Sequence, residues 1–328
     1  VMDTPFWTSE EYGRDFHFSI KISEFLEEAN EHLKEPAFEE KLKHQHHMDH
    51  VAREELINFL TRQKEDTLSD LPHRHHILFE YVNSGPDRAP GTQLVIHTLW
   101  GGKVNRPFAM ALDAAWEEKF GERLEVFPGD NCVILQLAHQ VEPEEILALV
   151  SSETAETLLR KRLEGSGFFG ARFRECAGRA LLITRNKVTE RMPLWMTRLK
   201  SQKLLEGVLH YDDFPILLET WRTCLQDEFD LESLRSILTE VEAGDVRWSV
   251  TRTSSASPFA SGMSWNQVNM YMYQLDQPAS TQSALRGSLL RDVVFQPELR
   301  PSLPKEIVKL FIAKRQRIYP GYSPQSSR

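Results

Sequence analysis

Two runs of β-branched and aromatic residues, at 76–82 (HILFEYV) and 93–100 (QLVIHTLW), constrain the fold of this 328-residue chain more than any other feature. Runs of this length and composition are typical of β-strands. The segment between them, NSGPDRAPG, supplies the glycine and proline that a turn requires. The sequence therefore predicts a β-hairpin.

The residues after the hairpin complete a compact unit. A double glycine ends the second strand, and a helix is predicted from near Asn105 to Gly121. Two short strands, at 124–127 and 132–136, follow and are joined by Pro-Gly-Asp. This ββαββ order predicts an antiparallel sheet rather than the parallel sheet of a dinucleotide-binding fold.

Helical patterns dominate on both sides of this unit. Before it, the alternating apolar residues of 15–22 predict a strand, and helices are predicted at 23–33, 39–48 and 52–62. After it, one strand is predicted at 246–251 and helices are predicted at 143–149, 153–164, 173–179, 193–211, 214–228, 231–243 and 265–274. Asp230 is the expected cap of the helix at 231–243, and Gly244 its expected end.

These elements predict an α+β fold, with an antiparallel sheet or small β-barrel packed with a helical bundle. Three regions follow along the chain. They are an entry segment of one strand and helices (1–70), the strand-rich ββαββ unit that contributes to the barrel (71–142), and a mainly helical region with one returning strand (143–328).

Composition bears on where the protein works. No apolar run approaches the roughly 20 residues that cross a bilayer, so no membrane partner is expected. Cys132, Cys176 and Cys224 are isolated, which predicts neither a disulfide framework nor a CxxC metal site and fits a reducing compartment. A cytoplasmic protein is therefore expected.

The charge distribution suggests an anionic partner despite a formal net charge of −9. The window 172–203 holds nine basic residues against two acidic ones. A basic island on an acidic body can hold a phosphate chain locally. The alternative is a set of solvated helix and loop faces without a ligand.

The segment 100–108 (WGGKVNRPF) is the strongest candidate site. A strand ends, two glycines permit close backbone approach, and a helix N-terminus offers unpaired N–H groups beside Lys103 and Arg106. Such an arrangement suits a phosphate. Phe108 could stack on an exposed base, or it could begin the apolar stripe of the helix and pack in the core.

Motifs for nucleotide chemistry are missing or misplaced. The GxGxxG at 165–170 follows a predicted helix rather than a strand, so it is interpreted as a glycine-hinged turn between helices. No GxxxxGK[ST] loop and no GxSxG occur in the sequence. The chain itself is therefore expected to have no catalytic residue, no cofactor and no ATPase activity.

Histidines form two tracts, one at 44–50 and one at 73–76. His46 and His50 lie one helical turn apart and could share a metal, but no HExxH occurs. Solvated faces are the alternative, and no metal site is assigned. A self-contained metal-dependent enzyme is kept only as a third hypothesis.

Five segments together resemble the region that follows the winged helix in Lhr-type (large helicase-related) helicases, the DEAD/H-associated region. They are LVIHTLWGGKVNRPFAMAL, LEGSGFFGARFRECAGRALLITR, PLWMTRLKSQKLL, DDFPILLETWRTCLQDEFDLESL and the Ser-Pro-Phe of SSASPFASG. They stand in the family's order and at roughly its spacing, and TPFW near the start looks like the family's entry into the region.

The resemblance implies part of an enzyme: an ATP-dependent 3′-to-5′ DNA helicase whose RecA-like motor domains and winged helix precede this region and use ATP and Mg²⁺. This chain would then grip single-stranded DNA or a DNA/RNA hybrid. Relatives often carry Trp at the position of Phe108, which implies base stacking. The expected nucleic-acid-binding residues are Lys103, Asn105, Arg106, Phe108, Arg172, Arg174, Arg179, Arg185 and Lys187. The alternative is a protein-interaction scaffold that docks the motor domains or a DNA-repair partner through the aromatic and Met-rich helix at 265–274.

Overall fold

The computed structural model describes residues 13–82, 92–138, 141–183, 194–211, 213–263, 305–316 and 318. Its helices are α1 (Phe16–His32), α2 (Pro36–His44), α3 (His50–Thr67), α4 (Gly102–Phe120), α5 (Pro143–Leu147), α6 (Ala155–Glu164), α7 (Gly167–Arg179), α8 (Leu194–Val208), α9 (Pro215–Arg222), α10 (Leu231–Ala243) and α11 (Lys305–Arg315). A π-helical turn, Thr223–Glu228, continues α9. Its strands are β1 (His76–Val82), β2 (Thr92–His97), β3 (Glu125–Pro128), β4 (Val133–Leu137) and β5 (Arg247–Thr253).

The five strands form one open sheet in the order β3-β4-β2-β1-β5. The predicted hairpin is confirmed, because β1 and β2 pair antiparallel with Phe79 opposite Ile96. Strands β2, β4 and β3 are also antiparallel to their neighbours. Strand β5, however, lies parallel to β1, with Val250 opposite Phe79. The α+β class is confirmed, and the sheet is mixed and open rather than purely antiparallel or closed into a barrel.

Both faces of the sheet are covered, which explains why every residue of β1 and β4 is buried. On one face, Phe79 and Ile96 pack with Phe108, Leu112 and Trp116 of α4 in the largest core cluster. On the other face, a smaller cluster joins Val82, Val95 and Ile134 to Ala260. A third cluster holds α1, α2 and α3 together through residues that include Leu26, Phe38 and Leu60.

The strand predicted at 15–22 is wrong, because these residues form the first turns of α1. The Asp15 carboxylate accepts a hydrogen bond from the Phe18 N–H at 3.0 Å and caps the helix. The buried positions are Ser19, Ser23, Leu26 and Ala29, spaced three or four apart. Phe18, one of the alternating apolar residues, is 58% exposed. In a helix, Phe16 and Ile20 lie on one side and Phe18 and Ile22 on the other, so the alternation does not form one helical face; the Asp15 cap nevertheless starts α1 here.

The buried carboxylate of Glu80 links β1 to β2 and to the residues at and after the end of β5. Glu80 of β1 accepts hydrogen bonds from the Ser257 N–H and hydroxyl at 2.8 and 2.6 Å and from the Thr253 hydroxyl at 2.8 Å. His97 Nε2 lies 2.8 Å from the same carboxylate. Burial raises the pKa of Glu80, but the hydrogen bonds more than offset it, so the pKa lies below its ordinary value.

The remaining helices follow the sequence pattern closely. The helix at 231–243 is confirmed at both ends, with the Asp230 carboxylate accepting from the Ser233 N–H and Gly244 at a left-handed φ of 81°. The helix predicted at 265–274 lies outside the described residues. The division into three regions stays a prediction. No helix in the described part of the chain is both long and apolar enough to pass through a bilayer.

Candidate nucleic-acid interface

The double glycine before α4 brings two backbone segments together. Gly101 caps α4 with a left-handed φ of 85°, and a Cβ there would lie 2.5 Å from the Arg14 carbonyl oxygen. A Cβ on Gly102 would lie 2.7 Å from the Cα of Gly13. The close approach that the sequence predicted therefore exists, but it serves the chain's own N-terminal segment.

An internal carboxylate already occupies the helix N-terminus. Asp130, in the turn between β3 and β4, accepts hydrogen bonds from the N–H groups of Gly102 and Arg14, each at 2.8 Å. The position at which a phosphate was expected is thus filled by a side chain of the same protein, and this expectation is wrong. The signal that could have found it is the Pro-Gly-Asp turn itself, because Asp is a common anionic partner of helix N-termini.

Asn105 and Phe108 point into the protein. The Asn105 side chain is buried, donates to the Gly129 carbonyl at 2.7 Å and accepts from the Thr98 hydroxyl at 2.7 Å. The Phe108 ring is 1% exposed and packs edge-on against Trp100, with ring centroids 5.3 Å apart. Neither side chain has a surface to offer a nucleotide, so the predicted base-stacking role of Phe108 and contact role of Asn105 are corrected to structural ones.

Lys103 and Arg106 lie three residues apart on the opposite face of α4 and line an open cleft of about 560 Å³. The other wall is α7, which contributes Phe168, Arg172 and Arg174. The cleft thus brings together four of the nine expected residues, from two parts of the chain that the sequence separates by more than 60 residues. Their contact with nucleic acid stays a prediction.

The start of α7 explains how this wall is built. Ser166 caps the helix by accepting from the Phe169 N–H at 3.1 Å, so the glycines at 167 and 170 belong to the first helical turns rather than to a separate hinge. Phe169 is buried beneath α7. Phe168 turns toward the cleft and stacks on Phe229, with ring centroids 5.3 Å apart and an interplanar angle of 16°. The aromatic residue that lines the cleft is therefore Phe168, not Phe108.

Acidic residues also line the cleft, but ion pairs hold them. Arg172 contacts Glu175 at 2.9 Å and Glu228 at 3.1 Å, and its guanidinium lies 5.3 Å from the centroid of the Phe168 ring. Asp227 pairs at 3.0 Å with Arg222, which is not one of the residues that line the cleft. The carboxylates of Glu175, Asp227 and Glu228 are thereby partly neutralised.

The basic residues are less fully satisfied. Lys103 donates one hydrogen bond to the Asp227 carbonyl, at 3.1 Å. Within the described ranges, Arg106 and Arg174 have no hydrogen-bond or ion-pair partner. Two free guanidinium groups facing one cleft are suited to an anionic ligand, because planar guanidinium binds phosphate through paired N–H groups.

The structure does not place the other three expected basic residues in the cleft lining. Arg179 is exposed at the end of α7, does not line the cleft, and donates to the Cys176 thiol at 3.4 Å. Arg185 and Lys187 lie outside the described residues. Trp195 of α8, which sequence reasoning did not single out, is 62% exposed. The residues around Trp195 in the sequence do not indicate whether its side chain is exposed or buried.

The described side chains offer little for covalent chemistry. All three cysteines are free and buried, and burial raises the pKa of Cys132 and of Cys224 to about 12. In the described part of the chain, one group could hold a metal ion: Glu27, His73 and His75. It lies away from the cleft lining.

Residues 71–260 match the family model described as DEAD/H associated. The chain belongs to this family. The DEAD/H-associated region of the chain contains the whole sheet, α4, α7 and the four basic residues of the cleft, whereas α1, α2 and α3 precede it.

Relatives of this DEAD/H-associated chain are large helicases. It is 30% identical over 81% of its length to an Escherichia coli protein named Lhr helicase/uracil glycosylase, and it covers 17% of that protein. It is 28% identical over 96% of its length to the Mycolicibacterium smegmatis Lhr helicase/probable uracil glycosylase, covering 21% of it. The chain thus spans about a fifth of the length of these curated relatives.

A solved structure supports the same relationship. The structure of Mycobacterium smegmatis helicase Lhr bound to ssDNA and AMP-PNP superposes with a TM-score of 0.69 and 27% sequence identity, over 79% of this chain and 32% of that one. The resemblance to the DEAD/H-associated region of Lhr-type helicases is therefore confirmed.

Proposed function

We propose that this chain is a nucleic-acid-binding accessory module of an ATP-dependent 3′-to-5′ DNA helicase, and that the cleft between α4 and α7 holds the phosphates of single-stranded DNA or of a DNA/RNA hybrid. One observation carries the proposal. Lys103 and Arg106 of α4 line the same cleft as Arg172 and Arg174 of α7, and two of these guanidinium groups have no partner in the described part of the chain.

The four basic side chains of the cleft differ in how far the protein itself already pairs them. Glu175 and Glu228 hold Arg172 in one orientation and offset its charge, so Arg172 shapes the cleft wall rather than supplying free positive charge. Arg106 and Arg174 keep their N–H donors available, and each can bind a phosphate oxygen. Phe168 gives the cleft an apolar wall against which a sugar or base edge can pack. Such contacts bind the backbone without reading its sequence.

Salt-dependent binding to a labelled single-stranded oligonucleotide tests the proposal. Three phosphate contacts, from Lys103, Arg106 and Arg174, give a slope of log affinity against log salt of about −2, because each contact to a single strand contributes about −0.7. The double variant Arg106→Ala/Arg174→Ala should bind about tenfold more weakly and flatten the slope by about 1.4. Fluorescence anisotropy at three salt concentrations measures both quantities.

A matched control is Arg247→Ala. Arg247 is exposed on β5, outside the cleft, and has no side-chain partner among the residues described. Its removal should leave the affinity within about twofold and the salt slope unchanged. Undetectable binding at low salt, or equal losses in the cleft variant and in the control, would rule out the cleft as the phosphate site.

The motor function is proposed for other parts of such a helicase. The sequence has no phosphate-cradling GxxxxGK[ST] loop, so we expect this chain to hydrolyse no ATP with or without single-stranded DNA. Upstream RecA-like and winged-helix domains would bind ATP and Mg²⁺ and pull the strand. Measurable DNA-stimulated phosphate release by the purified chain would contradict this assignment.

A second candidate function is a protein-interaction scaffold. Helix α11 exposes Ile307, Leu310, Phe311 and Ile312, and exposed apolar side chains in this density favour contact with another polypeptide. A purified fragment carrying the upstream motor domains should then bind the wild-type chain and not Phe311→Asp. In that case the oligonucleotide affinity of the variant stays at the wild-type value.

A further inference from the structure

A three-residue cluster lies at the junction between α1 and the turn that leads into β1. It contains Glu27 of α1 and His73 and His75 of the turn. One ligand atom from each side chain lies within 4.8 Å of the other two. The sequence separates Glu27 from the histidines by more than 40 residues, so only the fold reveals the group.

The two distances from the Glu27 carboxylate to the histidines are close to the separations that a metal ion requires. Glu27 Oε1 lies 3.4 Å from His73 Nδ1 and 2.8 Å from His75 Nδ1. Ligand atoms about 2.0–2.1 Å from a tetrahedral Zn²⁺ lie roughly 3.3 Å apart. The Glu27–His73 pair already has this separation, and the Glu27–His75 hydrogen bond must lengthen by about half an ångström.

The backbone holds the ligands in place without the help of an ion. The Arg74 N–H donates to the Ser23 carbonyl at 3.3 Å, and Glu27 follows Ser23 by one helical turn. His73 and His76 exchange backbone hydrogen bonds at 3.0 and 3.1 Å. The Arg247 N–H of β5 donates to the His75 carbonyl at 2.9 Å. The helix, the turn and the sheet edge thus fix where all three side chains begin.

We propose that Glu27, His73 and His75 bind one Zn²⁺ ion, which links α1 to the turn before β1. The set of two imidazoles and one carboxylate is a known Zn²⁺ ligand set that leaves a fourth position for water. The half-exposed ring of His75 keeps that position open to solvent. Because Glu27 precedes the DEAD/H-associated region and the histidines begin it, the ion joins the N-terminal helices to that region.

Zinc titration of the full 328-residue chain, without an affinity tag and after treatment with a chelator, tests the site. Isothermal titration calorimetry should show one Zn²⁺ per chain. Glu27→Gln keeps a hydrogen-bonding amide but removes a good zinc ligand, and His75→Ala removes a second ligand. Each should weaken this binding at least about tenfold, which is the loss that even outer-shell partners of a metal cause.

The matched control is His46→Ala/His50→Ala, in the other histidine tract. His50 also lies near a glutamate, Glu54, at 3.6 Å, but no third ligand completes a group there among the described residues. The control should bind Zn²⁺ as the wild type does. Equal affinity in the wild type, Glu27→Gln and His75→Ala would show that the cluster is an ion pair only and would overturn the proposal.

A second readout does not depend on the affinity measurement. Zinc at a hundredfold excess over its Kd should raise the melting temperature of the wild type by about 5 °C, because the ion binds the folded state alone. Glu27→Gln should show no such rise. Co²⁺ in the wild type should give the intense visible absorption of a tetrahedral ion, and Glu27→Gln should give only the weak bands of the aquo ion. Weak bands in the wild type as well would contradict the proposed geometry.

Discussion

The first turns of α4 place four candidate residues, all within 103–108, on two opposite faces of the helix. Asn105 and Phe108 lie three residues apart on the inner face. There Asn105 is hydrogen-bonded to other residues of the protein, and Phe108 packs against Trp100. Lys103 and Arg106, also three residues apart, lie on the outer face and line the cleft. A short motif that looks like one site in the sequence is therefore half core and half surface.

Among the described residues, Asn105 and Arg106 differ in whether the protein itself provides hydrogen-bond partners for their side chains. Asn105 is polar and close to the cleft in sequence, yet its hydrogen-bonding groups are used by Thr98 and Gly129. Arg106 is its neighbour and has no partner in the ranges that the structure describes. Desolvated polar groups need internal partners, whereas exposed ones can keep their donors for a ligand.

Phe108→Ala should have the largest effect on stability, and it tests whether the inner face of α4 is structural. Truncating a buried phenylalanine typically costs about 4 kcal/mol, from lost burial and from the cavity left behind. Urea unfolding followed by circular dichroism measures this loss, and the oligonucleotide affinity of the folded variant should stay within about twofold of wild type. Phe18→Ala is the control, since Phe18 is largely exposed. Retained stability with lost affinity would return Phe108 to the binding site.

Asn105→Ala should have the next largest effect. The substitution leaves the buried Thr98 hydroxyl and the Gly129 carbonyl without their partner, at a cost of about 2 kcal/mol. The same unfolding measurement applies, with Gln202→Ala on the exposed side of α8 as a control expected within about 0.5 kcal/mol of wild type. A neutral Asn105→Ala variant would show that the inner face tolerates unsatisfied groups.

Arg179→Ala should have the smallest effect, and it tests whether the proposed binding surface extends along α7 beyond the cleft. Arg179 lies on α7 with Arg172 and Arg174 but does not line the cleft. Its removal should change the oligonucleotide affinity by less than about twofold at low salt, because an unaligned surface charge adds little. A loss as large as that of the Arg106/Arg174 double variant would mean that the strand continues along α7 beyond the cleft.

Local patterns predicted much of the fold. The bounds of β1 were predicted residue by residue, because its apolar run ends in turn residues on both sides. The caps Asp230 and Gly244 marked α10 in the same way. The prediction at 15–22 was wrong because four alternating apolar residues favour a strand, whereas the Asp15 cap and the residues that follow in α1 stabilise a helix.

The arrangement of distant segments could not be predicted. Asp130 occupies the helix N-terminus at which the sequence predicted a phosphate, and only the turn between β3 and β4 brings it there. Phe168 and Phe169 are adjacent in sequence, and the position of α7 decides which of them faces the cleft. Lys103 and Arg106 were expected at one site, but the wall that α7 forms opposite them depends on tertiary packing.

The parallel pairing of β5 with β1 has a consequence for how the polypeptide is made. Strand β4 ends at Leu137, and β5 begins only at Arg247; the part of the chain that the structure describes between them includes helices α5 to α10. During synthesis the outer edge of β1 therefore stays open until the ribosome has released residues to Thr253, and an open edge invites association with other nascent chains. After folding, the same seven-residue pairing would keep both halves together if a protease cut the chain anywhere between these two strands.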